Sequence, residues 1–519
     1  MLRRQTLPLF CAAVLAAALP ARAQLASPPS TAATTPLPPA SMTAPLPLAV
    51  ADAMRAAGMP DDALSVLVLR GDQTVLAHLA DRPVPPASTM KIITTLVALE
   101  QLGPAFRART ELRTAGSVKG DVLKGDLVLR GGADIDLSTE ALTSMLRSLR
   151  YQGIRTIDGN LVLDRQLFNP ARPDLGVPPF DESPEAYYNV TPEALLVNKN
   201  MLQLDMRSTP RPDGQASARA RVAVQPELDG VTVESDMKLV DVDCARWEDG
   251  WKPPETIVRA DGSLRVILHG TFPKRCAASY SIGVLDHQEY VARLVRRIWK
   301  TLGGTFTGAA VEGATPPDAR LLAEHVSRAL PELVSDTNKP SDNVLARTLF
   351  LSLGALAPDS VLGSRPLPAD ATPTAARSDA AIRTWLRAHG IDDTGLVLEN
   401  GAGLSRSERV TATQLAGVLQ AGLRSNWAPE FQASLPIAAI DGTLRRRLQG
   451  TPAAGRARLK TGSLSTIAAL AGYVPDADGR MCVLVAIVNG DRVSNGRGRA
   501  VLDALVDWVA RLDGGAVLP

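Results

Sequence analysis

Ser88-Thr89-Met90-Lys91 places a hydroxyl and an amine three residues apart in the stretch PPASTMKIITTLVALEQLG. At the opening of a helix, residues three apart share a face, so Lys91 can reach the Ser88 hydroxyl while the helix N-terminus favours developing negative charge. That pairing is a nucleophile with a base at hand. Two further triplets extend it. Ser341-Asp342-Asn343 follows Pro340 and opens the helical run NVLARTLFLSLG, and Lys460-Thr461-Gly462, followed by Ser463, lies on the expected strand RARLKTGSL. A Ser-x-x-Lys arises by chance about once in a chain of this length. A second one does occur, Ser235 to Lys238, in an alternating strand pattern with no helix behind it. The ordered set of three, each on its own element, is expected by accident on the order of once in a hundred chains or fewer.

Other residues narrow the choice of base. The five histidines, at 78, 269, 287, 325 and 389, show neither HExxH nor HxH spacing, and there is no GxSxG turn. Zinc hydrolysis and a Ser-His-Asp triad therefore both lose ground. No CxxC pair or His/Cys spacing suggests zinc. Of 56 basic residues, 46 are Arg and ten are Lys, yet both cations of the motif set are Lys. A position that must lose its proton cannot be Arg. Making Lys91 neutral at pH 7 requires its pKa to fall from about 10.4 towards 7, roughly 4 to 5 kcal/mol of differential stabilisation. Burial near the Lys460 ammonium would supply it.

These residues need a scaffold. Before Ser88 the pattern predicts a hairpin as the first folded element, LSVLVL (64–69) and TVLAHL (74–79) around a Gly71-Asp72 turn. After it, Ile92, Leu96 and Leu99 share a helix face that Gly103 ends. At the far end, IAALAGYV and MCVLVAIVNG read as apolar strands, followed by an amphipathic helix with Val501, Leu505, Trp508 and Leu512 on one side. Acids on its polar face favour packing on the sheet over a membrane surface. Between 108 and 282 the texture changes to short alternating runs such as GDLVLRGG, GNLVLD and SLRVILHGTF, which predict an inserted strand-rich module. Asp286 and Glu289 then form a capping box before YVARLVRRIWKTLG. The elements read as α+β with a large strand-rich insertion.

The chain has 519 residues, 45% of them hydrophobic, and a net charge of +2. That length allows two or three cores at roughly 100 to 200 residues per domain, and the near-neutral balance argues against nucleic acid as the main partner. Arg3 and Arg4, an apolar run from Leu7 to Leu19 and Ala21-Arg22-Ala23 predict a signal peptide over 1–23. The run is shorter than the about 20 residues that span a bilayer. Export across the inner membrane to the periplasm is expected, with at most peripheral membrane contact. Residues 24–48 read as a Pro/Ala/Thr-rich tether. Cys11 leaves with the leader, Cys482 reads as a core thiol, and Cys244 and Cys276, flanking strands in an oxidising space, are expected to pair.

Ser88-x-x-Lys91, Ser341-x-Asn343 and Lys460-Thr461-Gly462, with some 250 residues between the first two, resemble the low-molecular-mass class C penicillin-binding proteins of the D-alanyl-D-alanine carboxypeptidase/endopeptidase type. GDLVLRGG, YYNVTPEALLVNKN, NGAGLSR, DGTLRRRL and KTGSL extend the likeness over nearly all of the chain after 48. The resemblance implies a serine β-lactamase/DD-peptidase-like domain over 49–107 and 283–519, an antiparallel sheet with flanking helices plus a helical subdomain, interrupted by the strand-rich module of 108–282. It implies that Ser88 attacks the penultimate D-Ala carbonyl of a peptidoglycan stem peptide, Lys91 takes the proton and Ser341 relays it. Asn343 would orient Lys91 and the substrate amide, Lys460 and Thr461 would hold the terminal carboxylate, and Ser88 and Ser463 N–H groups would form the oxyanion hole. It further implies inhibition by β-lactam antibiotics and chemistry that requires no metal or organic cofactor.

For the rest of the stem peptide, the resemblance points to Asp164, Phe168 and Arg406 beside a pocket for the charged end of a diaminopimelate. The chain departs from the family at Asn400 and Ala402, where an acid and a Ser are usual, and at Ala133-Asp134-Ile135, where Gly-Asp-Pro is usual. A β-lactamase on the same machinery is one alternative, although Glu399, Glu408 and Glu430 all lack the Asn four residues on that class A deacylation uses. A catalytically silent peptidoglycan binder is another. Oligomeric state is left open.

Overall fold

The computed structural model describes residues 45–513 apart from 177, 209–218, 492 and 494–495. The expected leader and all but the last residues of the tether lie outside these. The described chain opens not on the hairpin but on a helix, α1 (Leu48–Ala57), whose Val50, Met54 and Ala57 are buried and which Gly58 ends in a left-handed conformation at φ +66°. An alanine-rich helix abutting an alanine-rich tether shows no compositional break, which is why the sequence did not separate them.

The expected hairpin follows as β1 (Leu64–Arg70) and β2 (Gln73–His78). Then come α2 (Lys91–Leu102), α3 (Asn343–Ala355), α4 (Ala412–Arg424), β3 (Arg458–Leu464), β4 (Ile467–Pro475), β5 (Met481–Asn489) and α5 (Arg497–Ala510). The five strands form one antiparallel sheet in the order β2-β1-β5-β4-β3. Side chains alternate across a strand, so a strand covered on both faces is apolar at nearly every position. Leu67, Leu69, Val483, Val485 and Ile487 enter one cluster with Ile92, Leu96 and Leu99 of α2, Phe350 of α3 and Leu415 of α4. Val66, Val68, Leu484, Ala486 and Val488 enter another with Met54 of α1 and Val501 and Leu505 of α5. Each such fully buried Val or Leu contributes about 1.5–3 kcal/mol. The sheet thus fixes two helical layers, one carrying the Ser88 turn.

A third cluster belongs to the insertion. Its five-stranded sheet runs, in spatial order, through 310–312, 161–164, 127–132, 109–114 and 320–326. The expected end of the module at 282 falls short, because the chain re-enters this sheet as far as Val326. The helix His287–Thr301, read from sequence as a return to the first domain, buries Tyr290, Leu294, Val295 and Trp299 in the insertion's cluster. An amphipathic pattern reports a buried face and not which core receives it. Asp286 caps that helix, accepting from the N–H groups of Gln288 and Glu289. Ser235 and Lys238 end and begin two short strands. Cys244 and Cys276 are joined in a disulfide, Cα atoms 5.2 Å apart, and Cys482 is a buried free thiol. No helix among the described residues is long and apolar enough to cross a membrane.

Candidate active site

Ser88 sits on a 3₁₀ turn, Ala87–Met90, at the mouth of α2. Thr89 Oγ1 donates to the Pro86 carbonyl at 2.7 Å and Ala87 takes φ +45°, which turns the chain sharply before the helix. Lys91, the first residue of α2, is fully buried. Its Nζ donates to Ser88 Oγ at 2.9 Å, to Asn343 Oδ1 at 2.7 Å and to the Ala402 carbonyl at 2.6 Å. Those three acceptors come from α2's turn, α3 and the loop after Glu399, so the amine ties three distant stretches together.

The Ser341-Asp342-Asn343 triplet divides its work. Asp342 is a helix cap, accepting from Leu345 N at 2.9 Å, and this places Ser341 and Asn343 on either side of the cap. Ser341 takes φ +66°, an uncommon conformation for a residue with a side chain. Its Oγ accepts from Lys460 Nζ at 2.8 Å. Lys460 is fully buried on β3 and also donates to its neighbour's carbonyl, Thr461 O, at 2.8 Å, while Thr461 Oγ1 bonds Thr443 Oγ1 at 2.8 Å. At Gly462 a Cβ would stand 2.9 Å from the Pro86 carbonyl and 3.1 Å from Ala87 Cβ, so the glycine lets β3 pass directly against the Ser88 turn. Ser463, the next residue, is exposed and lines a cleft with Asn343.

Burial is the main cause of the lowered Lys91 pKa, which falls to about 7; the Asp342 and Glu408 carboxylates pull it back up and the Arg347 guanidinium pushes it down. Lys460 is driven well below its ordinary value, by burial first and then by the Lys91 charge. The Lys460 ammonium, expected to help neutralise Lys91, is not among the groups that shift it; burial does that work and the Arg347 guanidinium adds to it. In its neutral form Lys91 keeps two N–H bonds, enough for Asn343 and Ala402, and its lone pair is free to accept the Ser88 proton.

The cleft, about 520 Å³, is lined by Pro85, Phe180, Asp181, Tyr187, Tyr188, Asn343, Leu404, Arg406 and Ser463–Ile467. Arg406 lies in this cleft, its guanidinium 5.2 Å over the Phe180 ring. Asp164 and Phe168 do not. Asp164 is buried in a separate cavity, accepting from Gln166 N at 3.0 Å and Thr315 N at 2.8 Å, so it staples a loop of the insertion. Phe168 is a core residue, 2% exposed. The acid facing Arg406 is Asp181, which accepts from Tyr188 OH at 2.8 Å and Asn189 Nδ2 at 3.0 Å. Burial works to raise its pKa, but those bonds, the Ser183 N–H and the Arg406 charge hold it below the ordinary range. Sequence reasoning missed Asp181, Tyr187 and Tyr188. The one signal was an acid beside a tyrosine pair in PFDESPEAYYN.

Among the described residues, Asp174, Glu193 and His287 hold ligand atoms within 4.8 Å of one another. Arg165 and Arg172 already approach Glu193, at 3.1 and 3.9 Å, so the group is neutralised by guanidinium.

A family model described as the D-Ala-D-Ala carboxypeptidase 3 (S13) family matches residues 50–512. A D-alanyl-D-alanine carboxypeptidase from Actinomadura sp. (strain R39) is 30% identical over 449 residues, 83% of this chain and 77% of that one. The D-alanyl-D-alanine carboxypeptidase DacB of Haemophilus influenzae is 27% identical over 412 residues, 78% and 80% of the two chains. The crystal structure of penicillin binding protein 4 (dacB) from Haemophilus influenzae superposes with a TM-score of 0.71 at 23% identity, covering 89% of this chain and 99% of that one. A second structure of that protein is complexed with a β-lactam.

Proposed function

The chain belongs to the D-Ala-D-Ala carboxypeptidase 3 (S13) family, and from that premise we propose that it cleaves the terminal D-Ala from peptidoglycan stem peptides through a Ser88 acyl-enzyme. Neutral Lys91 takes the Ser88 proton as Oγ attacks the penultimate D-Ala carbonyl, and the Ser88 and Ser463 N–H groups receive the oxyanion. The C–N bond breaks as the proton passes by way of Ser341 to the leaving amine. Water, deprotonated by the same base, then hydrolyses the ester. Lys460 and Thr461 receive the terminal carboxylate, whose charge favours a protonated Lys460. Asn343 holds Lys91 and the substrate amide.

The observation that carries this reading is the fully buried Lys91 amine, 2.9 Å from the hydroxyl of Ser88 and shifted to about pH 7. Asp181 and Arg406 in one cleft complement an ammonium and a carboxylate, which favours a diaminopimelate side chain at the third residue and, with it, endopeptidase action on cross-linked stems. Secretion to the periplasm belongs to the same proposal, supported by the N-terminal leader pattern and by a disulfide that requires an oxidising space.

The test is release of D-Ala from a pentapeptide ending in D-Ala-D-Ala, together with exposure to a labelled penicillin. D-Ala release with a long-lived adduct supports the proposal. Rapid penicillin turnover without D-Ala release would replace it with a β-lactamase, and retained muropeptide binding without an adduct would replace it with a silent binder.

A further inference from the structure

Beneath the loop that carries Ala402 lies a carboxylate that this chemistry leaves unused. Glu408 is 0% exposed, and its Oε1 accepts from three successive backbone N–H groups, Glu399 at 3.2 Å, Asn400 at 3.1 Å and Gly401 at 3.2 Å. Successive amides converging on one anion form a nest. The loop so gathered then turns back on the site. Ala402 N donates to Asn400 Oδ1 at 2.9 Å, Asn400 Nδ2 donates to Leu404 O at 2.7 Å, and Thr94 Oγ1 of α2 donates to the Gly401 carbonyl at 2.6 Å. The Ala402 carbonyl accepts from Lys91 Nζ. At Gly403 a Cβ would stand 1.8 Å from the Ala87 carbonyl, so the loop also presses on the nucleophile's turn. A shift of this loop therefore moves base and nucleophile together.

We propose that Glu408 is a positioning residue for the active-site base: its carboxylate gathers the 399–401 amides so that the Ala402 carbonyl meets Lys91, and it places a buried carboxylate within electrostatic reach of the Lys91 amine. The inference rests on the Ser88 acylation reading above. The charged groups around Lys91 are Asp342, Glu408, Arg347 and Lys460, and those around Glu408 are Glu399, Arg347 and Lys91. Asp342 is held by Lys199, Glu399 takes the Ser405 hydroxyl, and Arg347 donates to the Val190 carbonyl at 2.9 Å. Burial pushes the Glu408 carboxyl above the ordinary carboxylate range; its three amide bonds offset this only in part, and the Glu399 charge adds to the rise.

The experiment is the rate of acylation by a fluorescent penicillin from pH 5 to 9, for the full-length protein and three variants. Glu408→Gln keeps an acceptor for the amides and loses the charge. Its acid limb should move down by about half a pH unit, because a protonated Lys91 loses a favourable neighbour. Glu408→Ala loses the acceptor too, and its maximum rate should fall about tenfold to a hundredfold as the base is misplaced. Glu408→Asp keeps the charge with a shorter reach, so its limb should stay at the wild-type position with a lowered maximum. An unmoved limb in Glu408→Gln overturns the inference. Should that variant not fold, a wild-type maximum rate in Glu408→Asp overturns it instead. Failure of the wild-type protein to acylate at all would strike the acylation reading itself, a separate result.

Discussion

Lys199, carried by the inserted portion of the chain, donates from Nζ to Oδ2 of Asp342 at 2.5 Å. Asp342 is the residue between Ser341 and Asn343, so this ion pair joins the insertion to the Ser341–Asn343 triplet. Asn198, Lys199 and Asn200 all lie in the left-handed region, at φ +48°, +54° and +55°, a turn that projects the lysine towards α3.

Replacing this lysine tests the link. Lys199→Met should slow acylation about threefold to tenfold, since a partly exposed ion pair contributes about 1 kcal/mol or less directly and the remainder comes from a looser triplet. The freed Asp342 carboxylate should also draw the Lys91 pKa upward, moving the acid limb of the rate to higher pH. Stopped-flow acylation across pH measures both effects.

Lys91 itself sets the pH profile. Only the neutral amine accepts the Ser88 proton, so the second-order rate should rise with pH through about 7, where burial has brought this group. Below that point the rate should fall about tenfold per pH unit. Lys91→Arg should abolish acylation at every pH, because a guanidinium does not give up its proton in this range.

Two acids separate a binding role from a structural one. Asp181→Asn should raise KM for a diaminopimelate-containing peptide about tenfold, the order of one charge-assisted hydrogen bond, and leave a neutral third residue unaffected. Asp164→Asn should lower the thermal midpoint and leave the KM ratio between the two peptides unchanged. Peptide kinetics and thermal melts on both variants decide it.

The contrast shows where the sequence was legible. Ser88, Lys91, Ser341, Asn343 and Lys460 could be read because each lies in a short motif on an element whose period is strong: α2, α3 and β3. The two-faced burial of β1 and β5 was visible as unbroken apolar runs. The stem-peptide side of the cleft was not legible, because Asp181 and Tyr188 lie in a proline-rich segment without periodicity and reach Arg406 only through tertiary packing. Asp164 was assigned to the pocket by the resemblance alone, and an acid ending a strand carries no local sign of which way it faces. Glu408 looked like a failed deacylation residue, since its three amide donors come from a loop conformation that residue types alone do not specify.

The Cys244–Cys276 bond closes a loop spanning a sequence separation of 32 within the insertion. Its loss should cost the insertion about 3 to 4 kcal/mol in the chain-entropy model. Limited proteolysis of Cys244→Ser/Cys276→Ser should cut first within 108–326, while Ser88, seated on a different hydrophobic cluster, should still acylate at low temperature.

The central claim is met most directly by incubating the protein with a penicillin and locating the adduct by peptide mass spectrometry. A single acyl group on Ser88, absent from Ser88→Ala and from Lys91→Arg, is the predicted result. An adduct on another residue, or one that forms at the wild-type rate without the Lys91 amine, would contradict the account.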